Sequence, residues 1–393
     1  NKLKLAMFLR DWNVYLAKDY KSKGGGEHGN IERQVIYISK DEILNYYAKP
    51  LQDSLQKTIS LQNDLESGKI VVFGSSELVI NPNQKFLPQN YFNNDLKLPL
   101  RIQGNEGQQS FAILSQLAAY HGELIKENAK VVILLSPSWF TGSNNNGTTI
   151  PKFLEFMYPG MMNKLYFQSE IDDSYKILIN NYVKNNISYI KNPNFIYEYS
   201  FNELEEDYLN NEIKKFLIKS FDNRDINPPI VTYKNPILNY ESLKIEANKI
   251  ATPSTNNSYG ISDEYFTKHI EPSIKMGSFP YSIIVPSELD KNQEYQDLLV
   301  LLELLKSYKI KPLFVMQDLH PYVFEKNRDE MTTIMSTIKS KIEENNYGYL
   351  DMWTYKKENY EMGTLIDIVH SGELGWVKIN QKIIEHFITK EEK

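Results

Sequence analysis

Alternating strand and helix signals predict an α/β protein, a three-layer α/β/α parallel sheet that carries a helical insertion. Three observations predict it. Short β-branched apolar runs recur and stop at turn residues, as in Lys69–Phe73 before Gly74-Ser75-Ser76 and Val131–Leu135 before Ser136-Pro137. Between them, Phe111, Leu114, Leu117, Ala118 and His121 recur at helical spacing. Strands separated by helices of this length build βαβ units, and βαβ units build parallel sheets.

Taken in order, residues 1–66 are mixed and polar, with a flexible break at Lys23-Gly24-Gly25-Gly26-Glu27. A helical pattern lies on either side of it, the second from about Asp41 to Leu65 behind the cap-like Ser39 and Asp41. This stretch reads as an N-terminal arm lying on a main domain of residues 67–393. The main domain opens with the strand at 69–73, followed by a weaker strand at 98–102 that stops at Gly104 and Gly107. The helix from Ser110 and the strand at 131–135 come next. From about 141 to 278 the alternation is interrupted by a segment rich in Asn, Tyr, Lys and Glu, with turn clusters at Ser143–Gly147 and Asn227-Pro228-Pro229. Short helical stretches inside it, such as Glu205–Phe221, make it an inserted helical subdomain. Alternation resumes with a helix at Tyr295–Lys306, a strand at Pro312–Met316 and a helix whose face is Met331, Ile334, Met335, Ile338 and Ile342. A short strand at Tyr349–Met352 and a helix from Leu374 to about Ile388 close the chain. The strands at 69–73, 98–102, 131–135 and 312–316 are expected to be mutually parallel.

Composition narrows the function classes. Of 393 residues, 41% are hydrophobic and 12% aromatic, enough for a sizeable core and incompatible with wholesale disorder. Forty-four basic against 50 acidic residues leave a net charge of -6, so no global basic field invites nucleic acid. With no cysteine, disulfides, thiol catalysis and Cys-ligated zinc are excluded together. No run approaches the roughly 18 uninterrupted apolar residues of a membrane span; Leu298–Leu302 ends at Glu303. The chain starts at Asn1 rather than Met, which leads us to expect further residues upstream.

In an open parallel sheet ligands sit at the carboxyl ends of the strands. After the first strand come Ser75, Ser76 and Glu77. A serine in a strand-to-helix turn is exposed, and the backbone N–H groups there favour developing negative charge; an ordinary N-cap is the alternative reading. Glu77 suits either a substrate ammonium or the first turn of the helix. Near the C-terminus, Asp367-Ile368-Val369-His370-Ser371-Gly372 places Asp and His three residues apart before a helix. That spacing lets a carboxylate bind one imidazole nitrogen while the other faces outward as a base. An ordinary loop histidine is the alternative. A strand-end serine on the same rim makes the group a candidate Ser–His–Asp triad. Asp318 and His320 follow a strand and could ligate a metal, but two ligands do not specify a site; a rim role is preferred, and no metal or cofactor is expected. Trp139 and Phe140 fit core packing or a sugar platform. His28, His121, His269 and His386 stand outside any constellation.

These residues carry a resemblance. Val71-Val72-Phe73-Gly74-Ser75-Ser76, the Gly104–Gly107 turn and Asp367-x-x-His370 are similar to the blocks of the SGNH (GDSL-type) hydrolase superfamily, with Ser75 where an Asp usually stands. More narrowly, Gly74–Leu78, Ser136–Phe140, Tyr259–Phe266, Glu294–Leu298 and Asp367–Trp376 resemble, in order along the chain, the DltD family of Gram-positive D-alanyl transfer proteins. The resemblance implies Ser76 as nucleophile, His370 as base and Asp367 as its orienting carboxylate. It implies an oxyanion hole from the N–H groups of Ser76 and Gly107, with Ser138 where a side-chain donor would stand and Trp139 beside it. It further implies acyl transfer of D-alanyl groups onto teichoic acid, an esterase or an acyltransferase for another envelope glycan being the alternative enzymes and a non-catalytic assembly factor the alternative outside catalysis. The implied partners are the membrane-bound acyltransferase and D-alanyl carrier protein of the D-alanylation pathway and the teichoic acid polymer, at the outer face of the membrane through an N-terminal anchor upstream of Asn1.

Overall fold

The computed structural model describes residues 14–20, 32–38, 57–120, 122–142, 147–158, 161–162, 164–165, 170–186 and 228–389. Its centre is a parallel sheet of five strands. They are β3 (Ile70–Gly74), β4 (Leu100–Gly104), β5 (Lys130–Leu135), β7 (Leu313–Met316) and β9 (Gly348–Asp351), in the spatial order β4-β3-β5-β7-β9. Every neighbouring pair is parallel, as the sequence leads one to expect.

Side-chain alternation explains the layers. Val71, Phe73, Val131, Ile133, Leu135, Phe314 and Met316 face one apolar cluster. Ile70, Val72, Val132, Leu134, Leu313 and Val315 face the other. A strand covered on both faces needs an unbroken apolar run, which is what β3, β5 and β7 show. The first face is covered by helix α1 (residues 57–66), α2 (Ser110–Ala118), α4 (Gln293–Ser307) and α5 (Arg328–Glu344). The second is covered by α6 (Glu373–Phe387), with Trp376 fully buried, and by α3 (Tyr240–Ala251) through Ala247.

Several boundaries differ from expectation. The weaker strand runs two residues further, to Gly104, because Gly104 pairs with Gly74 instead of ending the strand. A Cβ on Gly104 would lie 2.5 Å from the carbonyl oxygen of Gly74. Before the Gly-rich break the expected helical pattern is replaced by a strand. β1 (Val14–Tyr20) pairs antiparallel with β2 (Glu32–Ile38), from Val14 opposite Ile38 to Tyr20 opposite Glu32. Val14, Tyr15, Val35, Ile36, Tyr37 and Ile38 are strand formers, and that preference outweighs the helical periodicity. The second helical pattern is described only over 57–66, where Leu61 and Leu65 are buried in the main core. A further short parallel pair, β6 (Tyr281–Ser282) with β8 (Phe324–Lys326), has no clear sequence signal. Between β5 and α4 the described residues include helices Ile150–Phe156, Asp173–Asn185, α3 and the helical run 263–275. The stretch Glu205–Phe221, most of the Ser143–Gly147 turn, His28 and His121 lie outside the described residues.

Candidate active site

In a sheet of this order the chain goes from β3 to one neighbour, β4, and then crosses to the other, β5. Ligand crevices form at the carboxyl ends of strands beside such a switch. Ser76 follows β3 there, and Ser138 follows β5.

The serine turn is local. Ser76–Leu78 forms a short 3-10 turn in which the N–H of Leu78 donates to the Ser75 carbonyl and those of Val79 and Ile80 donate to that of Ser76. The N–H of Ser76 precedes these bonds and takes no part in them. Ser76 is half-buried, whereas Ser75 and Glu77 are buried. The Ser75 N–H donates to Glu77 Oε1 at 2.7 Å. Burial pushes the Glu77 carboxyl above its usual range, against the opposing pull of that N–H. Glu77 therefore faces inward, and the reading of it as a contact for a substrate ammonium is corrected. Gly74 makes room for it, since a Cβ there would collide with Glu77 Oε1.

The histidine loop is closed by its own bonds and braced from afar. The N–H of Ile366 donates to the His370 carbonyl (2.9 Å), and Leu365 and Ser371 form an antiparallel bridge. The N–H of Ser262 donates to the Ile366 carbonyl (2.6 Å) and that of His320 to the Ile368 carbonyl (2.9 Å). The Tyr360 hydroxyl accepts the N–H of Leu365 at 3.2 Å. Gly372 and Gly375 carry no side chain because Cβ atoms there would collide with the carbonyl oxygens of Gly363 and Thr364. Helix α6 is anchored in turn, with Glu373 accepting the N–H groups of Lys85 and Phe86, each at 2.9 Å.

These two structures bring Ser76, His370 and Asp367 into a relay. Ser76 Oγ lies 2.8 Å from His370 Nε2, and His370 Nδ1 lies 2.6 Å from Asp367 Oδ2. Asp367 Oδ1 accepts the N–H groups of Val369 and His370, each at 2.8 Å. Burial works to raise the Asp367 carboxyl, but the His370 ring and these N–H groups hold it below the usual carboxylate range. An ionised carboxylate only accepts, so the proton sits on Nδ1 and Nε2 is left to accept from the Ser76 hydroxyl. Burial disfavours the imidazolium, yet Asp367, with Glu77 and Glu106 further off, raises His370 above its usual value. The arrangement can take a proton from Ser76 and return it.

The remaining expected residues fall differently. Gly107 is exposed at φ 75°, and its N–H donates to Ser75 Oγ at 3.0 Å. Ser138 is exposed, its hydroxyl 2.7 Å from that of Ser136. Trp139 and Phe140 are buried in the core, and core packing replaces the substrate contact expected of Trp139. Asp318 and His320 are both fully buried, which corrects their expected place on the rim. Asp318 pairs with Arg328 at 2.7 Å and accepts the Thr354 N–H, while the Arg328 guanidinium lies 3.8 Å from the centre of the Trp353 ring. His320 Nε2 donates to the Tyr259 carbonyl at 2.9 Å. Tyr259 and Ser262 thus brace the histidine loop, whereas the sequence marks them only as part of the Tyr259–Phe266 stretch that carries the resemblance. Among the described residues no group of three His, Asp or Glu side chains could hold a metal ion. Among them, too, no helix is long and apolar enough to cross a membrane.

A parallel five-stranded sheet between helical layers, with a serine turn after β3, defines the chain as a protein of the SGNH-like α/β/α fold. The comparisons with known proteins are narrower. The model of the DltD protein family matches residues 45–388. Protein DltD of Staphylococcus aureus is 25% identical over 354 residues, which cover 86% of each chain. The chain belongs to the DltD family and serves the D-alanylation of teichoic acid in the Gram-positive envelope, a role in acyl transfer.

Proposed function

We propose that this protein is a serine acyltransferase that carries D-alanyl groups to teichoic acid through an acyl-Ser76 intermediate. The observation that carries the reading is the unbroken relay of 2.8 Å and 2.6 Å from Ser76 through His370 to Asp367. His370 Nε2 takes the Ser76 proton as Oγ bonds to the carbonyl carbon of an activated D-alanyl ester or thioester. The tetrahedral oxyanion is met by the N–H groups of Ser76 and Gly107, with Ser138 as a further donor from the β5 side. Collapse expels the leaving group, which takes the proton from His370. A teichoic acid hydroxyl then gives its proton to His370 and bonds to the acyl carbon, and Ser76 Oγ leaves and is reprotonated. Asp367 stays ionised and holds the imidazolium in place.

The donor and docking partners are the pathway's D-alanyl carrier protein and membrane-bound acyltransferase, at the outer face of the membrane, with an N-terminal anchor holding the protein there. The helical insertion at about 141–278, within a catalytic domain of residues 67–393 behind the N-terminal arm, serves as a lid that keeps water from the acyl-serine. Water exclusion decides between transfer and hydrolysis. The test is transfer of D-alanine to lipoteichoic acid in membranes containing the whole pathway, with hydrolysis of a nitrophenyl ester measured beside it. Ser76→Ala and His370→Ala should each lower transfer by at least about 10³-fold, and the double variant by little more, because nucleophile and base act as a unit. Ser336→Ala, on the exposed side of α5, is the control. Transfer that survives Ser76→Ala in a folded protein would sink the reading.

A further inference from the structure

Beside the relay stands a second serine whose contacts the relay does not explain. Ser75 is 3% exposed, and its hydroxyl accepts the Gly107 N–H at 3.0 Å while donating to the Asn105 carbonyl at 3.4 Å. Its own N–H is fixed on the buried Glu77 carboxyl at 2.7 Å. One residue therefore ties the turn after β3 to the loop after β4. Gly107 is exposed and has a positive φ of 75°, so no side chain of its own anchors that loop. Asn105 and Glu106 are exposed as well. The loop is closed by the Gln108 N–H on the Asn105 carbonyl at 3.1 Å and anchored by the buried Gln108, and the Ser75 hydroxyl is the contact that holds the Gly107 N–H itself from the turn after β3.

We infer that Ser75 is a positioning residue for the acyl transfer: it holds the Gly107 N–H beside Ser76 at rest and yields it to the oxyanion. The inference rests on the reading of Ser76 and Gly107 given above. A neutral hydroxyl is a weaker acceptor than an oxyanion, so the charge formed at Ser76 draws the Gly107 donor away. Ser75 keeps its bond to the Asn105 carbonyl during the exchange and keeps the loop from drifting.

The test has two arms on Ser75→Ala, a substitution that removes one buried hydroxyl and adds no bulk. Amide exchange of Gly107, followed by NMR in protein labelled with ¹⁵N-glycine, should quicken about tenfold, because the Ser75 hydroxyl is what shields that exposed amide. Steady-state hydrolysis of a nitrophenyl ester should show kcat lower by about tenfold with KM within about twofold, the pattern of a donor misplaced for the transition state alone. The unfolding midpoint should fall only modestly, as the loss of this hydroxyl's hydrogen bonds requires. The fall in kcat at unchanged KM, measured on fully folded protein, separates the effect from a merely structural role. Unchanged Gly107 exchange overturns the inference, and so does unchanged kcat. Ser76→Ala is run alongside. Turnover that persists there overturns the catalytic reading itself, while Gly107 exchange still decides whether Ser75 holds the loop.

Discussion

The turn that carries Ser76 and the loop that carries His370 are held in opposite ways. The serine turn leaves β3 directly, and its first contacts come from Gly74, Ser75 and Glu77. The histidine loop closes on itself and on its flanks, Tyr360 and helix α6, and is held besides by Ser262 and His320 from two distant parts of the chain. A turn fixed by near neighbours is specified wherever its short sequence occurs. A loop braced from afar is specified in full only once the whole sheet has closed. The serine half should therefore tolerate distant substitutions better than the histidine half does.

The largest expected effect breaks the comparison at the point where the halves meet. Asp367→Asn removes the carboxylate that outweighs burial in raising His370. The Asn amide can also hold the wrong imidazole tautomer. Acyl transfer should fall between about 10²- and 10⁴-fold. In the parent protein His370 must be neutral to act as base, so activity is lost as pH falls through its raised value. In Asp367→Asn burial prevails, and the acidic limb of the residual activity should move to lower pH. The limb is measured from kcat/KM against pH, and a shift the other way would contradict the assignment of base and carboxylate.

A smaller effect sharpens the comparison through His320, which braces the histidine loop without joining the relay. Burial lowers its imidazole from 6.5 to about 4, and its Nδ1 has no hydrogen-bond partner among the described residues. A depressed histidine gives stability that is complete above the unfolded value and is lost as pH falls from 6.5 toward 4. For a shift of this size the full contribution is on the order of 3 kcal/mol. His320→Gln keeps a donor for the Tyr259 carbonyl and cannot titrate in this range. Urea unfolding at pH 7.5 and 4.5 should show the parent losing more stability on acidification than the variant. Equal losses would mean that His320 is not held neutral by its surroundings.

The same difference decides what could be read in the sequence. Runs such as Val71-Val72-Phe73 and Val131–Leu135 reveal the sheet because burial on both faces demands unbroken apolar residues. Ser76 and the Asp367–His370 spacing were legible because their chemistry is local. What held them was not. An Asp-x-His after a strand has the same letters whether it lines a rim or is buried, and only Arg328, ten residues on, shows that Asp318 is paired inside. Glu77 reads as a first-turn acid until the fold places its carboxyl under the Ser75 N–H. Gly104 reads as a strand stop because a glycine letter does not distinguish a turn from a close approach. The β1 segment carries strand formers beside the helical pattern expected before the Gly-rich break, and pairing with β2 favours the strand.

The smallest expected effect sets one glycine from each half against the other. On the serine side, a Cβ at Gly104 would sit 2.5 Å from the Gly74 carbonyl oxygen and 2.7 Å from Leu78 Cδ1. On the histidine side, a Cβ at Gly375 would collide with the Thr364 carbonyl oxygen. Overpacking of this kind typically costs about 1–3 kcal/mol, so Gly104→Ala and Gly375→Ala should destabilise by similar amounts in urea. Their activities should nonetheless differ. Gly104→Ala pushes two neighbouring parallel strands apart at their carboxyl ends, where the Ser76 turn and the Gly107 loop begin, so both proposed oxyanion donors move together. Gly375→Ala pushes α6 away from Thr364 and moves the loop that presents His370 relative to Ser76, which lengthens the proton path itself. Per folded molecule, kcat should fall further in Gly375→Ala than in Gly104→Ala, with unfolding midpoints and kcat measured on the same preparations. Equal kcat at equal stability would show that the two halves are coupled more tightly than their separate supports suggest.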